Sequence, residues 1–144
     1  MVYIPPRPKT DAEFLEVMAQ IIFVAGFKFR VVMAMWPKTR KAFHNFKIDK
    51  VANETVENML KKEGVIKNKI KIAAIIENAK ICKELIEKYG SIEKWVKKIQ
   101  KENKKEPLFS PTVREEMKKF IRIGHTTSRW LAYVTTRDKN LLED

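Results

Sequence analysis

Apolar residues recur every three or four positions along most of this chain, a spacing typical of helices that pack one face into a core. One such series follows Thr10 and consists of Phe14, Val17, Met18, Ile21, Ile22 and Ala25. No alternation of apolar and polar residues lasts beyond four positions, so the pattern of a half-buried β-strand is absent from the sequence. We therefore predict an all-α fold, a globular array of about eight helices.

Capping residues mark where several of these helices begin. Thr10 followed by Glu13 is a capping box at the start of the first helix, and Ser91 is the N-cap of a later one. Asp49 and Asn53 are the predicted caps of two short helices. Each of these side chains can accept a hydrogen bond from a backbone N–H that the first helical turn leaves without a partner.

Glycine and proline mark the predicted helix ends and breaks. Gly26 is expected to end the first helix, and Gly90 to end the long helix that begins near Asn68. Trp36-Pro37 predicts a break between a second helix and a third, because proline cannot donate a backbone hydrogen bond inside a helix.

Length and composition suit one domain that spans residues 1–144. Residues 1–9 hold three prolines and are predicted to form an extended arm, and residues 137–144 a polar tail. No apolar run reaches the roughly 20 residues of a membrane-spanning helix, so we expect no membrane partner. The single Cys82 and the lack of an export leader favour the cytoplasm.

The charge of the chain favours a polyanionic partner. Thirty Lys and Arg residues against eighteen Asp and Glu residues leave a formal net charge of +12. The alternative is a charged surface of the thermophilic kind, but such surfaces usually balance the two signs. An excess of this size indicates nucleic acid.

The segment KKEGVIKNKIK, residues 61–71, is the first candidate site for such a partner. A helix ends at Gly64, an apolar pair beginning at Val65 follows, and a new helix begins near Asn68. Backbone N–H groups and the positive end of the helix dipole suit a phosphate there, and the nearby cations are Lys67, Lys69 and Lys71. The alternative is an ordinary helical hairpin with solvated lysines.

A second candidate is RIGHTTSR, residues 122–129. Arg122, Gly124 and Thr126 stand at another helix start, where they form either a second phosphate site or the floor of a pocket. The alternative is a simple capped helix N-terminus.

Aromatic residues provide a candidate pocket, because enzymes that act on a base flip it out of the duplex and stack it. Most of the rings belong to the core, but Phe23, Phe29, Trp130 and Tyr133 are candidate pocket walls. The two histidines and one cysteine lack the spacing of metal ligands, and no phosphate-loop or dinucleotide motif appears. We therefore predict no metal and no cofactor.

In the order of its segments the chain resembles bacterial 3-methyladenine DNA glycosylase I, a family of the helix-hairpin-helix base-excision superfamily. Four stretches carry the resemblance: residues 8–29 (PKTDAEFLEVMAQIIFVAGFKF), 40–52 (RKAFHNFKIDKVA), 63–80 (EGVIKNKIKIAAIIENAK) and 120–134 (FIRIGHTTSRWLAYV). The third is the most specific, since it follows the family order of Gly, two aliphatic residues, a triplet of Asn or His between two basic residues, Lys-Ile and a later Asn-Ala.

The resemblance implies a helix-hairpin-helix DNA glycosylase fold and a DNA-repair activity. The hairpin at residues 63–71 would hold the backbone of double-stranded DNA that carries an alkylated base. The enzyme would flip out an alkylated purine such as 3-methyladenine and hydrolyse its N-glycosidic bond, acting as a monomer without a cofactor.

The chain departs from the family at several functional positions. The family's base-contacting Glu is replaced by Ile21, its following Trp by Phe29, and its zinc ligands, two Cys and two His, are missing. Glu16 and Gln20 are the nearby polar candidates for a catalytic group, and Ile21 joins the predicted pocket. Two alternatives follow, a DNA-binding relative that recognises lesions without excising them and a helical interaction protein that does not bind DNA.

Overall fold

The structure is a computed structural model that describes residues 5–103, 110–137 and 141. Within these residues the chain forms eight α-helices and a 3-10 turn at His44–Phe46, with no β-strand, which confirms the all-α prediction. The helices are α1 Asp11–Val24, α2 Phe29–Ala42, α3 Ile48–Ala52, α4 Val56–Leu60, α5 Lys69–Tyr89, α6 Ile92–Glu102, α7 Ser110–Met117 and α8 His125–Thr136.

Several of the predicted helix starts are present. The Thr10 hydroxyl accepts from the N–H of Glu13 at 3.1 Å. The Glu13 carboxylate accepts from the N–H of Lys9 at 2.7 Å, so the reciprocal bond reaches one residue before the cap. Asn68 caps α5 and Ser91 caps α6, each through a side-chain oxygen that accepts from a backbone N–H in the first turn.

The predicted break at Trp36-Pro37 is wrong, because α2 continues through Pro37 to Ala42. Tertiary contacts on both sides of the proline offset the lost backbone hydrogen bond. The Trp36 indole donates to Glu16 of α1 at 2.8 Å, and the Thr39 hydroxyl donates to the carbonyl of Gly64 at 2.6 Å. Proline inside a helix costs about 3 kcal/mol, and tertiary contacts of this kind can offset that cost.

The predicted caps of the two short helices are also wrong. Lys47 precedes α3 and Thr55 precedes α4, and the Thr55 hydroxyl accepts from the N–H of Asn58 at 3.1 Å. Asp49 lies instead in the first turn of α3, where its charge still complements the helix dipole. Asn53 is the C-cap of α3, so it ends a helix rather than beginning one.

Helix α5 lies at the centre of the fold and packs against α1, α3, α4 and α6. Two groups of aromatic rings fill the core around it. Phe23 of α1 meets Trp36 and Phe43 edge-to-face, and Phe46 stacks on both of the latter rings. Phe120 likewise packs against Phe14 and Trp95. Rings at such distances contribute beyond their buried area.

The ends of the chain are described only in part. Residues 5–9 of the predicted arm have no helix, and the Pro5 carbonyl accepts from Arg137 Nη2 at 2.7 Å. Residues 1–4 of that arm, and residues 138–140 and 142–144 of the predicted tail, lie outside the described residues. None of the described helices combines the length and hydropathy that a membrane crossing needs.

Candidate nucleic-acid interface

The turn between α4 and α5 is held against α2 at Gly64. This glycine has φ +80, in the left-handed region, and a Cβ built on it would lie 2.4 Å from Cβ of Lys38. Its carbonyl accepts the Thr39 hydroxyl of α2 at 2.6 Å. Only glycine meets both requirements without strain, so this residue sets the closest approach of the hairpin to α2.

The rest of the hairpin presents the start of α5 to solvent. Val65 is buried in the core, and Ile66 is partly buried and packs against it, so these two side chains attach the turn to the core. Asn68 Oδ1 accepts from the N–H of Lys71. Helix geometry leaves the N–H groups of Lys69 and Ile70 without an intrahelical acceptor, and these donors and the dipole suit an anion.

The three lysines of the hairpin have different positions. Lys67 and Lys69 are exposed, and the Lys67 ammonium donates to the carbonyl of Lys62. Lys71 is only 8% exposed. Its ammonium donates to the carbonyls of Phe23 and Ala25 and so satisfies the C-terminus of α1. From the sequence, Lys71 was predicted to face solvent together with Lys67 and Lys69, whereas in the structure its side chain is buried.

Burial and a neighbouring cation make the Lys71 environment unusual. Burial lowers the pKa of the Lys71 ammonium, and the charge of Arg122 lowers it further. Arg122 is exposed and has φ +64 in the connection between α7 and α8. Arg122 therefore lies close enough to act on the charge of Lys71.

A buried amide fixes that connection to α5. Asn78 is fully buried, and its side chain accepts from the N–H of Ile121 at 2.6 Å and donates to the carbonyl of the same residue at 3.0 Å. Gly124 N–H donates to the Thr127 hydroxyl at 2.9 Å. The Thr126 side chain lies outside the described part. Sequence reasoning did not identify this contact, although a single Asn on the apolar face of α5 could have indicated a buried hydrogen bond.

The predicted pocket residues differ in how far they are buried. Ile21 and Phe23 are each 1% exposed and belong to the core, whereas Phe29 is exposed at the start of α2. Trp130 and Tyr133 are half-buried on α8. The indole N–H of Trp130 is buried without a hydrogen-bond partner among the described residues. A cleft of about 710 Å³ lies elsewhere, between the arm and the starts of α1 and α6.

The two catalytic candidates on α1 are engaged or buried. Glu16 Oε2 accepts from the Trp36 indole and from Arg40 Nε at 2.7 Å, so this carboxylate joins α1 to α2. Gln20 is 8% exposed within the buried face of α1. Glu16 therefore joins α1 to α2, and Gln20 lies on the buried side of α1.

Exposed apolar side chains border the Lys71 site. Phe27 is 46% exposed, and its ring centroid lies 5.9 Å from the Lys71 ammonium. Ile70 is 64% exposed beside Lys71 in α5, and the exposed Ile121 precedes Arg122. Apolar groups left in solvent among cations are typical of a ligand surface.

An ion cluster links the hairpin to the end of α2. Although burial raises the pKa of the Glu54 carboxyl, hydrogen bonds from Asn58, His44 and Lys62 lower it to about 2. The Glu54 Oε2 atom lies 2.9 Å from Lys62 Nζ, which also donates to the carbonyl of Ala42 at 2.8 Å. Sequence reasoning missed this cluster, whose members come from the end of α2, the His44–Phe46 turn and the segments on both sides of α4.

The same cluster stabilises an unusual stretch of backbone. His44, Asn45 and Phe46 have φ values of 57°, 55° and 60°, all in the left-handed region. A left-handed conformation costs about 1–2 kcal/mol for each such residue, so it persists only where surrounding contacts offset this strain. The His44 ring lies 2.7 Å from Glu54, and Phe46 is stacked in the core, so both ends of the stretch are held.

Comparison with known proteins identifies one family. A family model described as methyladenine glycosylase matches residues 6–128, which is most of the chain and includes the hairpin and the Arg122 connection. Neither the curated proteins nor the solved structures provide a match.

Proposed function

The chain belongs to the methyladenine glycosylase family, and from this premise we propose that it removes alkylated purines from double-stranded DNA. The substrate class is a methylated purine such as 3-methyladenine. The reaction is hydrolysis of the N-glycosidic bond after the base leaves the helical stack.

One observation carries the DNA-binding part of the proposal, the exposed start of α5 behind the Gly64 turn. Backbone N–H groups of Lys69 and Ile70, the helix dipole and the exposed Lys67 and Lys69 ammonium groups share this surface. Such groups contact phosphate oxygens and fix the protein on the duplex without reading its sequence.

The chemical part of the proposal relies on the substrate's own charge. A purine methylated on a ring nitrogen is cationic, so the bond to C1′ breaks with its electron pair going to the base. The base then leaves neutral, water adds to C1′, and the proton of that water passes to solvent. The protein contributes by holding the base out of the duplex and excluding bulk water. Of the predicted pocket residues, Phe29 is the one classed as exposed, at the start of α2, and it is our candidate for stacking on the base.

One observation favours a second function, recognition of lesions without excision. The position that carries the family's base-contacting Glu is Ile21, which is 1% exposed and part of the core. In this second function the hairpin still binds DNA, but no carboxylate contacts the base.

Release of the methylated base separates the two functions. The protein is incubated with methylated duplex DNA, and the free methylpurine is measured against a buffer control. Release above the buffer level supports excision. No release, together with salt-sensitive DNA binding, contradicts excision and supports lesion recognition.

A further inference from the structure

The solvent-facing side of α2 carries cations that lie outside the hairpin. Arg30, Lys38 and Lys41 are exposed, and none of their side chains forms a hydrogen bond or an ion pair with the residues that the structure describes. Arg40 on the same helix differs, because its guanidinium is paired with Glu16 at 2.6 Å. The three unpaired groups are called the cationic ridge.

Helix geometry places the ridge on one side of α2. Positions 30, 34, 37, 38 and 41 lie within about 100° of rotation around a helix of 3.6 residues per turn, and all five residues are exposed. The buried residues Val32, Trp36 and Thr39 face the opposite side. The ridge extends about 16 Å along the helix axis at 1.5 Å per residue, a length that covers several phosphates of one strand.

No acidic side chain from the same stretch of chain neutralises the ridge. Residues 17–48 contain six Lys and Arg residues and no Asp or Glu. In α6, by contrast, Lys97 and Lys98 pair with Glu93 and Glu102. A solvated surface that only confers solubility usually mixes both signs, as α6 does. The excess of positive charge on α2 is therefore a local feature.

The ridge adjoins the hairpin. Cβ of Lys38 lies against Gly64, and the neighbouring Thr39 hydroxyl bonds to the Gly64 carbonyl. The two cationic surfaces are continuous across this contact. We propose that the ridge is a second binding surface for the phosphate backbone of duplex DNA, beside the hairpin. This inference rests on the proposed DNA binding and adds the residues that extend it.

A charge-matched pair of variants tests the ridge. Arg30→Gln with Lys41→Gln removes two ridge charges, keeps polar side chains of similar length and leaves the Gly64 contact intact. Lys94→Gln with Lys97→Gln removes two charges from the start of α6. That helix follows Gly90, at the end of α5 about 30 Å from Lys69. Binding to a short unmodified duplex is measured over a series of salt concentrations, and thermal unfolding verifies that both variants fold.

The ridge variant is expected to bind about tenfold more weakly and to have a salt slope smaller by about 1.8, about 0.9 for each phosphate contact that is lost. The α6 variant is expected to stay within about twofold of the wild type. Equal effects of the two variants would overturn the ridge, even if the wild type binds DNA well. Absence of duplex binding by the wild type would instead overturn the proposed function, and the ridge with it. If the double variant unfolds, Lys41→Gln alone is compared with Lys97→Gln, with half the slope change expected.

Discussion

At the scale of single residues, Gly64 is the position on which the candidate interface depends most. Its left-handed backbone and its contact with Lys38 both exclude a side chain. Gly26 also has a left-handed backbone, φ +71, but nothing lies within 4 Å of where its Cβ would be. Comparing substitutions at the two glycines therefore separates the free-energy cost of a left-handed backbone from the cost of a steric clash.

Gly64→Ala is expected to lower the free energy of unfolding by about 3 kcal/mol, from left-handed strain and from overpacking against α2. Gly26→Ala, the matched control, is expected to cost about 1 kcal/mol from conformation alone. Urea unfolding measures both. Equal costs at the two positions would contradict the close approach of the hairpin to α2.

The Glu54 cluster predicts a pH dependence of stability. The folded-state pKa of Glu54 lies at about 2, below its ordinary value of 4.5. The stabilising contribution is therefore complete above pH 4.5 and is lost as the pH falls toward 2. Through this group the wild type is expected to lose about 2 kcal/mol of its free energy of unfolding between pH 6 and pH 3, a loss that Glu54→Gln does not show. Urea unfolding of the two proteins at pH 6 and pH 3 measures the difference, and parallel losses in both would refute it.

At the scale of elements, the start of α5 has two separable roles. Asn68 caps the helix through its side-chain oxygen, and the backbone donors that follow it face solvent. Ser91 caps α6 in the same way, far from the hairpin along α5. An acidic cap is compatible with both helices, because a negative charge complements the dipole.

Asn68→Asp is expected to keep the stability of the protein within about 0.5 kcal/mol, since aspartate caps as well as asparagine. The same change is expected to weaken duplex binding about tenfold, because its charge repels a phosphate at the helix start. Ser91→Asp is the control and is expected to leave binding unchanged. Equal affinities of the two variants in a fluorescence-anisotropy titration would argue against a phosphate at α5.

At the scale of the whole molecule, local sequence signals predicted the features that depend on neighbouring residues. The helical spacing, the caps at Thr10 and Ser91 and the Gly64 turn act within a few positions of the chain, and the structure contains all of them. The family match agrees with the resemblance drawn from four stretches of sequence.

Features that depend on distant contacts escaped prediction. Helix α2 continues through Pro37 because α1 and the hairpin hold it on both sides, which no spacing within α2 reveals. Lys71 is buried because the C-terminal carbonyls of α1 need donors, a requirement set 46 or more residues away. Phe23 lies in the core because Trp36 and Phe43, from another part of the chain, pack against its ring.

The central claim is that the Gly64 hairpin holds the DNA backbone, and the salt dependence of duplex binding tests it most directly. The compared proteins are the wild type and Lys67→Gln with Lys69→Gln, which keeps the turn and removes its two exposed positive charges. The double variant is expected to bind every duplex sequence more weakly than the wild type, with a salt slope smaller by about 1.8. An unchanged affinity and an unchanged slope would contradict it.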